Sequence, residues 1–233
     1  EPAAEPAAEP AAEPAAEPAA ELAGSEPTRA ALARAVQLRD HEVGRYLTAT
    51  EVAAVLHQDP FRSRLQVHLK KVGRVRSGSR STEAALWGRA HEADALAEYR
   101  RLTGSGTVDA PGIVPHPTVP FLAGCPDALT HDGVLVEVKC PHSRRADSTV
   151  PPHYGVQVQV LLEVCDLETA HFVQYTPPAA CLITEVARDR AWFASALPVL
   201  GRSGGRRRPS TAAVGAVGTR SRTERLCAPR VAA

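Results

Sequence analysis

No methionine occurs among the 233 residues and the chain opens on glutamate, as expected of a fragment or a processed product. Missing too are a basic and apolar leader at the start and any uninterrupted apolar run long enough to span a bilayer. The expectation is a soluble, intracellular protein with no membrane partner. Cysteines are few and odd in number, and Cys125, Cys140, Cys165, Cys181 and Cys227 are widely spaced. That pattern fits neither a disulfide framework nor a C-x-x-C metal pair, so reduced thiols are expected. The histidines lack zinc-type spacing, and His91, His131, His142 and His153 read as surface residues.

What is present is unevenly spread. Apolar residues make up 44% of the chain, room for one sizeable core once both ends are set aside. Residues 1 to 20 are five copies of Glu-Pro-Ala-Ala, and proline at every fourth position breaks any helix that alanine would favour. From Gly201 onward the chain is mostly Gly, Ser, Ala and Arg, with too few large apolar residues to order itself by burial. The expected organisation is a disordered tail over 1–27, one folded domain over 28–200 and a second disordered tail over 201–233.

A formal net charge of +1 conceals segregation, with glutamates loading the front and arginines the back. Between them, residues 60 to 80 hold Arg62, Arg64, Lys70, Lys71, Arg74, Arg76 and Arg80 and no acid. Such a run is the footprint of a polyanion partner, or a solvated helix face followed by a loop.

Along the domain, Leu32, Ala35 and Leu38 at helical spacing predict a helix over 28–41. Thr48 with Glu51 is a capping box that opens a helix running to Leu56, and its exposed amide end would attract phosphate. Thr50 would add a hydroxyl and Arg45 a charge; plain capping is the alternative. A short helix over 65–72 leads into the basic loop. Ser81 or Thr82 then caps a long helix that stops at Gly104. On it Ala85, Gly88, Glu92, Leu96 and Tyr99 share a stripe, which sets a carboxylate on a small or apolar face. Glu92 there pairs with Arg89, reaches water or meets a cation.

Two strands are expected over 107–126, and Trp87 and Phe121 read as core. The segment H-Y-G-V-Q-V-Q-V-L-L-E-V-C, from His153, alternates like a strand yet also fits a helix through Tyr154, Leu161 and Cys165; helix is our choice. Strands over 170–175 and 182–186 and a helix over 189–200 complete the domain.

The stretch from Pro126 to Pro141 organises the rest. Asp132-Gly133 supplies a turn that tolerates positive φ, and Val134 to Val138 alternates beyond it. Glu137 and Lys139 then share one face while Val134, Val136 and Val138 point into a core. Asp127 precedes the turn and can fold back beside Glu137. Two hard carboxylates and an ammonium would meet there, as a Mg²⁺-dependent phosphodiesterase needs. A surface ion pair worth under ~1 kcal/mol is what this stretch alone would otherwise mean.

Pro126-Asp127 followed by Glu137-Val138-Lys139 resembles the PD-(D/E)XK nuclease motif. Four stretches together resemble, in order and spacing, the YqaJ-type viral recombinase and lambda exonuclease family of that class. They are R-Y-L-T-A-T-E-V-A-A-V-L with the D-P-F-R-S after it, G-R-A-H-E ending in Y-R-R-L-T-G, G-C-P-D to V-E-V-K-C-P, and Y-G-V-Q-V-Q-V-L-L-E-V. They cover about residues 38 to 200.

The resemblance implies an α/β (α+β) fold, a restriction-endonuclease-like core whose central mixed sheet is flanked by helices. It implies a metal-dependent DNA exonuclease that hydrolyses phosphodiester bonds at duplex ends, 5′ to 3′. Glu92, Asp127, Glu137 and the main-chain carbonyl of Val138 would hold Mg²⁺ or Mn²⁺. Lys139 would orient or deprotonate the attacking water, and Gln157 would position the water, the lysine or the substrate. Thr50 stands where the family carries a serine that helps hold the terminal 5′ phosphate, while Arg45 lies nearer the Thr-Ala-Thr unit than the family's arginine does. Arg45, Thr48, Thr50, Arg62, Arg74, Arg76 and Arg80 are the expected DNA contacts. The implied partners are double-stranded DNA ends, a single-strand annealing protein and, by family analogy, further copies of the chain in a ring. A catalytically inactive nucleic-acid-binding remnant and an endonuclease are the alternatives.

Overall fold

The computed structural model describes residues 24–38, 40–74, 82–143, 146–178 and 180–204. Arg76, Arg80 and most of both expected tails lie outside the described residues.

The described residues open with helix α1 (Glu26–Arg34), capped by Ser25, followed by a single turn, α2 (Asp40–Val43). The one helix expected over 28–41 is thus broken. Ala35 turns extended at φ −65° and ψ 136°, and Val36 and Ile113 exchange backbone hydrogen bonds of 2.9 and 3.1 Å. A pairing with a segment far along the chain outweighs local helical spacing, which is a weak preference in any case.

Strand β1 (Leu47–Thr48) runs straight into α3 (Ala49–Val55), and α4 (Arg64–Lys71) follows with Ser63 as its cap. The long helix α5 (Glu83–Thr103) starts where Thr82 Oγ1 accepts the Ala85 N–H at 3.2 Å. It stops at Gly104, whose φ of 71° suits a residue without a side chain.

Three short strands come next where two were expected: β2 (Thr107–Asp109), β3 (Val114–Pro115) and β4 (Leu122–Gly124). The hairpin strands are β5 (Ala128–Thr130) and β6 (Val134–Lys139). Helix α6 (Pro152–Cys165), strands β7 (Thr169–Thr176) and β8 (Ala180–Ala187), and helix α7 (Arg190–Gly204) complete the order.

Five strands form a mixed sheet in the order β2-β5-β6-β7-β8, in which β6 and β7 are parallel and the other neighbours antiparallel. A smaller sheet, β1-β4-β3, stands apart from it. The fold is the mixed α/β arrangement that the sequence led us to expect. Helix α5 covers one face, where Ala95, Leu96 and Tyr99 pack on Val136, Val138, Val173 and Tyr175. Helix α6 covers the other with α1, α3 and α7, in a larger core that includes Leu135, Leu161, Leu162 and Phe172.

Covering both faces corrects one expectation about β6. Val136 and Val138 enter a core as foreseen, but the face of Leu135, Glu137 and Lys139 is covered as well, and Glu137 is only 1% exposed. Helix α6 is almost wholly buried from Val156 to Cys165. Its apolar residues therefore form no single stripe, which is why its sequence also resembles a strand. Phe121 packs against the larger core as expected, whereas Trp87 joins neither core and lies 4.0 Å from the His91 ring and 5.2 Å from that of His142. His91 and His153 are half-buried rather than surface residues. None of the described helices is long and apolar enough to cross a membrane.

Candidate active site

The register of the hairpin decides which acids meet. Ala128 pairs with Val136 and Leu129 with Leu135, around a turn in which Gly133 has a φ of 97°. One step beyond the last pair brings Asp127 level with Glu137. Asp127 Oδ2 accepts the Val138 N–H at 2.7 Å, and the Asp127 carbonyl accepts the Ala110 N–H at 2.8 Å. Its carboxylate is thereby pinned to the end of β6. Glu137 Oε1 accepts from both Lys139 Nζ and Gln157 Nε2, which joins the hairpin to α6. Glu137 Oε2 is buried and makes no hydrogen bond. Lys139 Nζ also lies 5.0 Å from the centroid of the Tyr154 ring, one turn before Gln157 on α6.

Charge is out of balance here. Burial pushes the Glu137 carboxyl up to about 8, the negative charge of Asp127 adds to the rise, and Lys139 opposes it. Asp127 is raised for the same first reason, against the pull of Lys139 and the Val138 N–H. Burial acts to lower Lys139, but the two carboxylates outweigh it and hold the ammonium above its ordinary value. A single ammonium does not neutralise two sequestered acids with a third, Glu92, close enough to raise Glu137 further.

Glu92, Asp127, Val138 and Lys139 line one cleft of about 260 Å³, together with Arg89 and Tyr154. The structure thus gathers four of the expected residues at one opening, with Glu137 and Gln157 in contact behind Lys139. It does not close the acids onto a point. Among the described residues, no three His, Cys, Asp or Glu side chains stand close enough to hold one ion. Glu92 comes from α5 on one face of the sheet, while Glu137 turns toward α6 on the other. In kind the donors fit a hard divalent cation: carboxylate oxygens, one of them without a hydrogen bond, whose negative charge burial disfavours until a cation meets it.

Residues 36–168 match the YqaJ-like viral recombinase domain. The chain belongs to this family. No curated protein matches the chain. Among solved structures, it is similar to LHK-Exo, an alkaline exonuclease from Laribacter hongkongensis, at 22% identity over 76% of this chain and 89% of that one, with a TM-score of 0.57. Against LHK-Exo in complex with dAMP the identity is 23%, over 68% and 86% of the two chains, again with a TM-score of 0.57. A phage related exonuclease from Haemophilus somnus 129PT is similar at 10% identity over 79% and 92%, with a TM-score of 0.51. At these identities the likeness to the solved structures is one of fold.

Of the expected DNA contacts, those among the described residues, Arg45, Thr48, Thr50, Arg62 and Arg74, do not line this cleft. The Thr48 N–H donates to Glu51 Oε2 at 3.1 Å, and Glu51, 2% exposed, also meets Lys71 at 2.6 Å and Lys70 at 3.3 Å. Those two lysines are accordingly ion-pair partners and not a simple solvated face. Helix α3 has seven residues and opens with the expected capping box between Thr48 and Glu51. Thr50 is exposed, with its Oγ1 3.1 Å from that of Thr48. Arg62 donates to the Thr50 carbonyl and pairs with Asp59 at 2.8 Å, so it ties the α3–α4 loop to the helix. Arg45 lines a separate groove of about 640 Å³ with Arg64, Lys71 and Arg202, and Arg74 is exposed. Sequence reasoning missed Tyr154 and gave Arg89 no role but pairing with Glu92. The available signal was their spacing, one helical turn from Gln157 and from Glu92 respectively.

Proposed function

We propose that this YqaJ-like recombinase-family protein is a metal-dependent DNA exonuclease hydrolysing phosphodiester bonds at duplex ends, 5′ to 3′. The observation that carries the reading is the meeting of Glu92, Asp127, Lys139 and the Val138 backbone around one cleft, with Glu137 and Gln157 locked behind them. The names of the similar structures, two of LHK-Exo and one of a phage related exonuclease, support the same chemistry.

Glu92, Asp127, Glu137 and the Val138 carbonyl would hold Mg²⁺ or Mn²⁺, which when bound supplies charge neutralisation for phosphodiester cleavage. The rest falls to the chain itself. Asp127, held by the Val138 N–H, keeps one carboxylate oriented toward the cleft. Lys139 places a permanent positive charge where a phosphate oxygen or an attacking water would stand. Gln157 holds Glu137 in register with that ammonium, so the groups arrive preorganised. Thr50 offers a hydroxyl for the 5′ end, which is the reason for proposing that polarity.

A duplex labelled at either end and incubated in Mg²⁺, with and without chelator, tests the proposal. Metal-dependent release of nucleotides from the 5′-labelled strand of linear but not closed circular DNA is the expected result. Cutting of circles would mean an endonuclease. A second reading, an inactive nucleic-acid binder, is favoured by one observation: Glu137 Oε1 is already engaged by Lys139 and Gln157. Retardation of intact DNA without metal-dependent release would establish it. Tethering to a single-strand annealing protein and assembly into a ring are further parts of the proposal, read out by co-purification and by mass in solution.

A further inference from the structure

We propose that the first two turns of α5 seat the strand to be cut, with Gly88 holding the helix wall back and Arg89 taking the phosphate; this rests on the nuclease reading above. Glycine inside a helix costs about 1 kcal/mol relative to alanine, so its presence in the middle of one calls for a reason. Neighbouring protein does not supply it. A Cβ built on Gly88 would meet nothing within 4 Å, whereas one built on Gly124 would come within 2.6 Å of Leu161 Cδ2. Backbone conformation does not supply it either, because Gly88 lies within the regular helix Glu83–Thr103 and is not among the glycines of positive φ.

The space left by the missing side chain belongs to the cleft, whose wall at this point is Ala84, Ala85 and Gly88. A wall this low lets a sugar-phosphate backbone lie against the helix. Approach of a polyanion also needs attraction, since the acids Glu92 and Asp127 line the same cleft. Two cationic residues line the cleft, Lys139 and Arg89, and Lys139 is engaged by Glu137. Arg89 is exposed on the turn of α5 that precedes Glu92, and a guanidinium can present two parallel N–H groups to the non-bridging oxygens of one phosphate.

The full chain, as Gly88→Ala, Gly88→Leu, Arg89→Gln and Arg89→Lys, is compared with wild type by thermal unfolding. Fluorescence anisotropy then reads binding to a labelled duplex in Ca²⁺, and steady-state cleavage reads turnover in Mg²⁺. Gly88→Ala is expected to unfold at the same temperature or higher while weakening duplex binding about threefold, and Gly88→Leu to weaken binding and raise KM about tenfold or more. Arg89→Gln should raise Kd and KM about tenfold and flatten the salt dependence of binding by about one phosphate contact, with Arg89→Lys in between. A folded Gly88→Leu that binds and cleaves as wild type overturns the proposal. Should Gly88→Leu not fold, unchanged binding by Gly88→Ala together with Arg89→Gln overturns it. If wild type itself releases no nucleotide in Mg²⁺, the nuclease reading fails on its own, and the anisotropy comparison still decides whether this wall seats DNA.

Discussion

Gln157 Nε2 and Lys139 Nζ both donate to the same oxygen of Glu137, Oε1. The glutamine comes from α6 and the lysine from β6, so one carboxylate oxygen fastens a helix to the strand that carries the proposed chemistry. Gln157→Ala removes the helix side of this clasp but leaves the charges in place. Single-turnover cleavage should slow by about 10- to 100-fold with duplex affinity unchanged. A rate equal to wild type would remove Gln157 from the mechanism.

Glu137→Gln and Lys139→Ala change the charges themselves. Both are expected to abolish cleavage, at least ~10³-fold below wild type, while anisotropy with the same duplex stays within a few fold. Titration calorimetry with Mg²⁺ provides a readout separate from activity. Asp127→Asn and Glu137→Gln should each weaken cation binding, and loss of DNA binding as severe as the loss of cleavage would count against the roles assigned.

Tyr154 sits with its ring 5.0 Å from the Lys139 ammonium. The attraction belongs to the ring face and is worth about 1 kcal/mol, with the hydroxyl playing no part in it. Tyr154→Phe should therefore cleave at the wild-type rate and Tyr154→Leu several-fold more slowly. If phenylalanine is as damaging as leucine, the hydroxyl matters and the ring argument fails.

Glu51 governs acid stability. Burial acts to raise its carboxyl, but the charge and hydrogen bond of Lys71, the Thr48 N–H and the charge of Lys70 outweigh that and hold it below its usual 4.5. A group depressed by folding contributes stability above its unfolded value and loses it as pH falls through the folded one. Thermal midpoints should accordingly drop as pH is lowered from about 4.5. Glu51→Gln should flatten part of that drop and cost about 3 kcal/mol at neutral pH, because two lysines lose their partner. Equal midpoints for the variant and wild type at pH 7 would contradict this.

Several elements were legible because short-range chemistry defines them. Thr82 and Gly104 bracket α5, and Asp132-Gly133 fixes the hairpin register that sets Asp127 against Glu137. Other features depend on partners that no local pattern reveals. Alternation told which residues of β6 share a face, but not that α6 would cover the face holding Glu137. Leu32, Ala35 and Leu38 have helical spacing, yet Ile113 draws Val36 out into a bridge. Likewise Thr48 and Glu51 announced a cap, while Lys70 and Lys71, which complete the ion pairs around Glu51, arrive from the next helix. Arg89 and Gly88 were in plain sight beside Glu92. Their exposure to the cleft depends on the β6 end and the Cys140-Pro141 segment forming its opposite side.

The third strand of five, β6, has a bonded neighbour along each edge and a helix on each face. Deuterium should therefore reach the amides of Leu135, Val136 and Glu137 late, through opening of the whole sheet and not through fraying. Heat would then remove any activity housed there in the same step that melts the domain, leaving no folded but crippled state between.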